Sequence, residues 1–161
     1  WSRGYSNVTV RDVARAADVD VALISRYFGS KRELFEATLE GIDGLDPATL
    51  PDEAALVERV ADLFVTAPRS PNEPSPVTMV LLNGGDAEVG ESVRARYVAT
   101  WLLPLTELLG SEARAAAFSA VIFGVSVAEK TLRLPGVAPP TSAEYEAELR
   151  HLLEAAIGGP S

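Results

Sequence analysis

The chain opens with a short stretch in which apolar residues recur with helical spacing. From Val10 to Ala17 they fall at i, i+3, i+4 and i+7, the spacing that lines one face of a helix. Thr9 precedes this run and Asp12 follows it three residues on, which is the pattern of a capping box at a helix start. The pattern predicts a capped amphipathic helix.

A turn and a second short helix follow directly. Asp18 can take a left-handed backbone conformation at small cost, and Asp20 can accept the free amides of a following helix. The second helix is predicted over Val21–Phe28. Its apolar positions, which we expect to face inward, are Val21, Ile24 and Phe28. Its outward positions are Ala22, Ser25, Arg26 and Tyr27. Two short helices joined by a three-residue turn predict a helix-turn-helix, although any small helical hairpin buries alternate faces in the same way.

The remaining segments are also predicted to be helical. A third helix starts at Ser30, where Glu33 completes a second capping box, and ends between Gly41 and Gly44. Further helices are predicted over 53–67, 91–109, 111–134 and 143–157, with a short apolar piece at 77–82. The four prolines between Pro68 and Pro76 predict a surface loop, and Pro104 should kink its helix and open a gap that can become a pocket.

The last two helices suggest a homodimer. The helix over 113–128 is apolar nearly all round, so it would bury more surface than one neighbouring helix covers. The last helix carries an apolar stripe, which could pack within the subunit or against a second copy, at Tyr145, Leu149, Leu152 and Ala156. The interface residues predicted on these two helices are Val121, Val125, Tyr145, Leu149 and Leu152. An interior helix of a monomer remains the alternative for the first of them.

Composition and charge restrict the function. Hydrophobic residues make up 47% of the 161 residues, which argues against disorder, and the absence of cysteine fits a reducing cytoplasm. The most apolar run, 115–128, is shorter than the ~20 residues of a membrane span, and no signal peptide is visible. We therefore expect a cytoplasmic protein with no membrane association.

Charge is divided unevenly along the chain. The net charge is −9, yet residues 1–35 hold six basic and four acidic residues, a balance of +2. The other eight basic and nineteen acidic residues leave residues 36–161 at −11. Only the N-terminal head is therefore suited to approach DNA.

Catalytic chemistry finds little support in the sequence. The single histidine, His151, lies between Arg150 and Leu152 on the last helix, where a surface or interface position is the simpler reading. Without cysteine, metal-spaced clusters or a glycine-rich phosphate loop, no nucleophile and base can be paired. We predict that the protein is not an enzyme and uses no cofactor or metal.

The N-terminal motifs resemble those of a known family. The stretches concerned are Gly4-Tyr5, Val8-Thr9-Val10-Arg11-Asp12-Val13-Ala14 and Tyr27-Phe28-Gly29-Ser30-Lys31-Arg32-Glu33-Leu34. Together they resemble the DNA-binding domain of the TetR family of bacterial transcriptional repressors. The remaining chain is similar to that family only in its all-helical layout.

The chain departs from the family pattern at three places. Asp18 stands where the family usually has glycine, and Ser25 where it usually has a tyrosine that grips phosphate. The family also places a full first helix before Gly4, so the resemblance implies that the start is a fragment of that helix.

The resemblance implies three sets of site residues. Phosphate contacts are expected from Thr9, Ser25 and Lys31. Residues expected to face the major groove are Arg11, Val21, Ala22, Leu23, Arg26 and Tyr27. Residues expected to line a ligand cavity are Phe64, Met79, Leu82, Asn83, Arg96, Tyr97, Trp101 and Phe118, although each could equally be plain core.

The sequence therefore predicts an all-α protein with two parts. Residues 1–44 form a three-helix helix-turn-helix head, and residues 45–161 form a helical-bundle body for ligand binding and dimerisation. The expected function is that of a dimeric repressor that binds double-stranded operator DNA and is released by a small, mostly apolar effector. The alternative is a helical interaction protein of the same fold without productive DNA binding.

Overall fold

The computed structural model describes residues 3–41, 45–66 and 75–158, and these residues form an all-α fold, as predicted. Contacts within the chain divide them into two units. The first contains residues 3–41 and 75–97, and the second contains residues 45–66 and 98–158. The head that was predicted to end near residue 44 thus shares its unit with 75–97.

The first unit consists of five helices. They are α1 (Val10–Ala17), α2 (Val21–Phe28), α3 (Lys31–Glu40), α5 (Pro76–Asn83) and α6 (Gly90–Tyr97), and a 3-10 turn, Tyr5–Asn7, precedes them. Its core joins residues from the turn, α3 and the 75–97 segment, namely Tyr5, Phe35, Leu39, Met79, Val89 and Val93. Helices α1 and α2 begin and end where the sequence predicts. Ser30 caps α3 as predicted, and α3 ends at Glu40, one residue before the predicted range of 41–44, of which 42–44 lie outside the described residues.

The second unit is a helical bundle. It contains α4 (Glu53–Thr66), α7 (Leu103–Leu109), α8 (Glu112–Ser126) and α9 (Ala143–Gly158), with a 3-10 turn at Pro47–Thr49. Helix α9 packs along both α8 and α4. Its core is built from one face of each helix, including Leu56, Val60, Leu105, Phe118, Ile122, Leu149 and Leu153.

Two long helices expected from the sequence are interrupted by π-helical segments. Val98–Leu102 is π-helical and lies between α6 and α7, and Val127–Leu132 is π-helical and follows α8. Pro104, the predicted kink, stands in the first turn of α7. Proline has no N–H to donate back into the preceding turn. This explains why the hydrogen-bond pattern changes to π-helical just before Pro104.

Two other predictions need correction. Pro76, assigned to a surface loop, is the first residue of α5, a position at which proline costs no hydrogen bond. The rest of the predicted loop, 68–74, lies outside the described residues, and Ser75 caps α5. On α9 the residues buried within one chain are Tyr145, Leu149, Leu153 and Ile157, so Leu152 and Ala156 of the predicted stripe do not belong to the part that packs within the subunit. These buried residues follow i, i+4 spacing along α9, which packs against α8 and α4.

Candidate nucleic-acid interface

The interface starts at the capped N-terminus of α1. The Asp12 carboxylate accepts hydrogen bonds from the Thr9 N–H at 2.9 Å and the Thr9 hydroxyl at 2.6 Å, while the Asp12 N–H donates to that hydroxyl oxygen at 3.1 Å. The hydroxyl hydrogen bond, followed by the backbone one, lowers the pKa of Asp12. The predicted capping box is confirmed. The Thr9 hydroxyl would have to leave Asp12 before it could donate to a phosphate.

The turn after α1 also forms as the sequence predicts. Asp18 adopts the left-handed conformation, with φ 54° and ψ 44°, and its N–H closes the end of α1. The Asp20 carboxylate accepts the N–H of Ala22 at 2.7 Å and so caps α2. These two aspartates fix the angle at which α2 leaves α1, since one ends a helix and the other begins the next.

Helix α2 exposes nearly its whole surface. Ile24 is the one buried residue, at 7% exposure, and Tyr27 is 77% exposed. Val21 and Phe28 are exposed at 36% and 39%, so their expected inward position is wrong, while the expected position of Val21 in the major groove stays a prediction. A helix of eight residues that packs against α1 and α3 covers little beyond its central residue. The predicted outward residues Ser25 and Arg26 are exposed as expected.

At the junction between α2 and α3, the backbone geometry accounts for the residue types found there. Gly29 has φ 76°, and a Cβ at this position would lie 2.5 Å from the Glu33 carboxylate. That carboxylate accepts the Ser30 N–H at 2.7 Å and completes the second predicted capping box. The positive φ favours glycine here, and a Cβ would also push the Glu33 carboxylate away from its hydrogen bond to Ser30. The junction places Lys31 at the first position of α3.

Lys31 lies against an aromatic ring that the sequence analysis did not connect to it. Its ammonium nitrogen is 3.9 Å from the centroid of the Tyr5 ring, a cation–π contact. Tyr5 is buried, packs edge-on against Phe35 with ring centroids 5.3 Å apart, and donates its hydroxyl to Glu88 at 2.6 Å. Burial, reinforced by that hydrogen bond, raises the pKa of Tyr5 to about 12. No local pattern could have revealed this site, because Glu88 is 83 residues away in the chain.

The predicted ligand-cavity residues divide between the two units. Met79, Leu82, Asn83, Arg96 and Tyr97 belong to the first, and Phe64, Trp101 and Phe118 to the second. Met79 and Asn83 are buried in the first unit, where Asn83 accepts the Tyr5 N–H at 2.6 Å and donates to the Met79 carbonyl at 2.8 Å. In these contacts both residues serve as core of the first unit, and their role in lining a cavity stays a prediction. Phe118 is likewise fully buried, and Trp101 donates its indole N–H to Ser119 at 3.3 Å.

Two surface depressions lie in the second unit. One, of about 550 Å³, is lined by Leu50, Ala55, Glu58, Arg59, Asp62, Val65, Glu146 and Arg150. The other, of about 490 Å³, is lined by Glu53, Ala54, Val57, Glu58, Arg114, Glu154, Ile157 and Gly158. Neither involves a residue predicted for the ligand cavity. Among the residues that the structure describes, no group of three or more histidine, aspartate or glutamate side chains could hold a metal ion.

The predicted dimer residues differ in accessibility. Tyr145 and Leu149 are buried inside a single chain, and Tyr145 donates its hydroxyl to Glu129 at 2.7 Å, so neither can supply interface area. Leu152 is 45% exposed, and Val121 and Val125 are half-buried. The assignment of Tyr145 and Leu149 therefore needs correction, while the other three positions remain open to a partner.

The segment with the helix-turn-helix geometry also matches a known family. Residues 1–38 match the model of the bacterial regulatory proteins of the tetR family. The match spans α1, α2 and most of α3. No curated protein matches the chain.

Proposed function

We propose that this chain, a DNA-binding transcriptional regulator of the tetR family, is a homodimeric repressor that a small, mostly apolar ligand releases from its operator. The observation that carries the proposal is α2, a capped helix that exposes all its residues but Ile24 and lies within the segment matched by the family. A helix so little used by the chain's own core is suited to enter the major groove.

The proposed docking separates residues that position the protein from residues that read bases. Lys31 and Ser25 would hold phosphates, together with Thr9 once its hydroxyl leaves Asp12. The base-reading surface would consist of Arg11, Val21, Ala22, Leu23, Arg26 and Tyr27. Arg26 has the forked donors that match guanine O6 and N7, whereas Ala22 and Leu23 can contact thymine methyl groups.

A binding measurement with duplex DNA from upstream of the gene tests this docking. We expect Arg26→Ala to relax discrimination at one guanine position by about 1–3 kcal/mol, because a bidentate contact is lost. We expect Lys31→Ala to weaken specific and random sequences alike and to reduce the slope of log K against log salt by about 0.9.

The control for charge is Arg59→Ala, which removes the same charge from α4 in the second unit. It should leave DNA affinity within twofold of the original protein, by analogy with surface charges that make no phosphate contact. If Lys31→Ala kept the original affinity and salt slope, the docking would be wrong.

Apolar surface supports the proposed dimer. Glu112–Leu132 is long and apolar enough by length and composition to cross a membrane, although a core helix of a soluble protein meets the same criteria. Only 28% of its most apolar window is buried in one chain. A second copy packed on α8 and the exposed face of α9 would cover that surface. Two linked helix-turn-helix motifs would also match two DNA half-sites.

Release by a ligand requires that the ligand bind the DNA-free conformation more tightly, by about 1–3 kcal/mol in a typical coupled pair. We propose that α3 transmits the effect of the ligand to the DNA-binding surface, because it begins at Lys31, which is predicted to hold phosphate. Trp101 offers the readout in a Trp1→Phe variant, which leaves it the single tryptophan. An inducing compound should quench its fluorescence and lower operator affinity by the factor by which operator lowers affinity for the compound. Quenching without any loss of operator affinity would exclude the inducer.

The alternative is a helical interaction protein that no longer binds DNA productively. Ser25, in place of the family's phosphate-gripping tyrosine, and the small positive balance of the head favour it. The same binding measurement separates the two functions, since an interaction protein would show no salt-dependent binding to duplex DNA.

A further inference from the structure

Lys31 lies near two carboxylates that belong to a distant part of the chain. The segment 84–89, between α5 and α6, carries Asp86 and Glu88, and we refer to it as the acidic loop. The loop belongs to the same unit as the helix-turn-helix. Glu88 accepts the hydroxyl of Tyr5, the ring of Tyr5 carries the Lys31 ammonium, and the charge of Lys31 acts on Asp86, so the loop lies near the lysine expected to hold phosphate.

Tyr5 connects this loop to Lys31. Its backbone N–H donates to Asn83 at 2.6 Å, and its hydroxyl donates to Glu88 at 2.6 Å. The ring between these two anchors carries the Lys31 ammonium at 3.9 Å. Because both ends of Tyr5 are held at residues 83–88, the position of the lysine depends on this segment.

The charges of the acidic loop also favour the position of Lys31 on the Tyr5 ring. A carboxylate that accepts a phenol hydroxyl pushes electron density into the ring and strengthens the attraction for a cation on its face. The pKa of Tyr5, about 12, keeps that hydroxyl protonated at neutral pH. On the other side of the loop, the Ser6 hydroxyl donates to Asp86, and this hydrogen bond, followed by backbone ones and the charge of Lys31, lowers the pKa of Asp86.

We propose that the acidic loop competes with DNA phosphate for Lys31, holding it through Tyr5, and so weakens DNA binding. This inference rests on the proposed function, because it concerns the lysine expected to bind phosphate. The loop acts as an internal anion that a phosphate must displace. Any change that moves residues 83–88 away from Tyr5 would release the lysine and raise affinity for DNA.

The test uses fluorescence anisotropy with a random-sequence duplex of about three helical turns, so it does not depend on the operator. Glu88→Gln removes the charge but keeps an oxygen that accepts the Tyr5 hydroxyl. We expect it to tighten binding about threefold at low salt, and Asp86→Asn combined with it to tighten binding about tenfold, in line with exposed charge pairs. The gain should shrink as salt rises.

Two comparisons separate the proposal from a general charge effect. Glu40→Gln removes the same charge from the exposed end of α3 and should change affinity by less than half as much. In a Lys31→Ala background, Glu88→Gln should give no gain, because the competition needs the lysine. An equal gain in Glu40→Gln, or a gain that persists without Lys31, would overturn the proposal.

Tyr5→Phe provides a second route if the Glu88 variant folds poorly. It keeps the ring but removes the link to Glu88, so we expect a gain in the same direction. Thermal unfolding of each variant shows whether it is folded. Suppose that the original protein binds the duplex and that Lys31→Ala weakens this binding. If neither the loop variants nor Tyr5→Phe then tighten the binding, this inference is wrong while the proposed function stands. If the original protein does not bind duplex DNA, the proposed function fails with it.

Discussion

Asp18 shows how one residue sets the geometry between α1 and α2. It occupies the left-handed region, at φ 54°, where residues with a Cβ are disfavoured and aspartate is among the better tolerated. Its side chain is exposed, so its backbone conformation rather than its packing defines its role. Substitutions at this position therefore measure the free-energy cost of the left-handed backbone conformation.

We expect Asp18→Ala to lower the free energy of unfolding by about 1 kcal/mol, because alanine pays the left-handed cost without local compensation. Asp18→Gly should be neutral or slightly stabilising. Thermal unfolding measures both, with about 2–4 °C per kcal/mol for a chain of this length.

Ala16→Gly serves as the contrast for these substitutions. It lies inside α1, where glycine should cost about 0.5–1 kcal/mol. A loss of stability in Asp18→Gly as large as that in Ala16→Gly would contradict the argument.

At the scale of the helices, Arg114 links the ends of three helices in the second unit. Its guanidinium donates to the carbonyl of Leu109 at 2.6 Å, to the carbonyl of Ile157 at 2.5 Å and to the Glu53 carboxylate at 2.7 Å. The first two acceptors are carbonyls at the ends of α7 and α9, and the third begins α4. One side chain thus satisfies helix ends that would otherwise need water or a cap.

We expect Arg114→Met to lower the free energy of unfolding by about 2 kcal/mol, because hydrogen bonds from a charged donor to three acceptors are lost. Arg114→Lys should recover less than half, since an ammonium lacks the planar fork. Chemical denaturation measures both.

Arg150→Met is the matched control in the same unit. Arg150 pairs with Glu58 and Glu146 at the surface, and such exposed pairs contribute less than about 1 kcal/mol. If Arg114→Met and Arg150→Met lowered the free energy of unfolding equally, Arg114 would contribute no more than a surface ion pair.

At the scale of the whole molecule, the exposed apolar face of α8 and α9 leads to a prediction about assembly. We expect Val125→Glu and Leu152→Glu each to weaken the proposed dimer by about 3 kcal/mol, roughly 100-fold in its dissociation constant. The reason is that each places an unpaired charge in an apolar interface. Light scattering over a range of concentrations measures the shift to monomer.

Leu81→Glu is the control for the dimer prediction, since it makes the same substitution at an exposed leucine of the first unit. It should leave the molecular mass unchanged. Leu149→Glu should instead unfold the second unit, because Leu149 is buried within one chain. An unchanged dimer in both Val125→Glu and Leu152→Glu would place the interface elsewhere.

The sequence by itself determined the local structure of the head. The caps at Thr9 and Ser30 and the left-handed turn at Asp18 depend on contacts within three or four residues, so spacing and residue type were enough to predict them. The same local patterns carried the resemblance to the tetR family, which the match over residues 1–38 confirms.

Only the tertiary structure decided which surfaces these helices share. Val21 and Phe28 are exposed although they are apolar, and Leu153 rather than Leu152 is buried where α9 packs against α8 and α4. Tyr5 joins Asn83 and Glu88 across 78 and 83 residues. Such contacts depend on how distant segments pack, which helical periodicity does not specify.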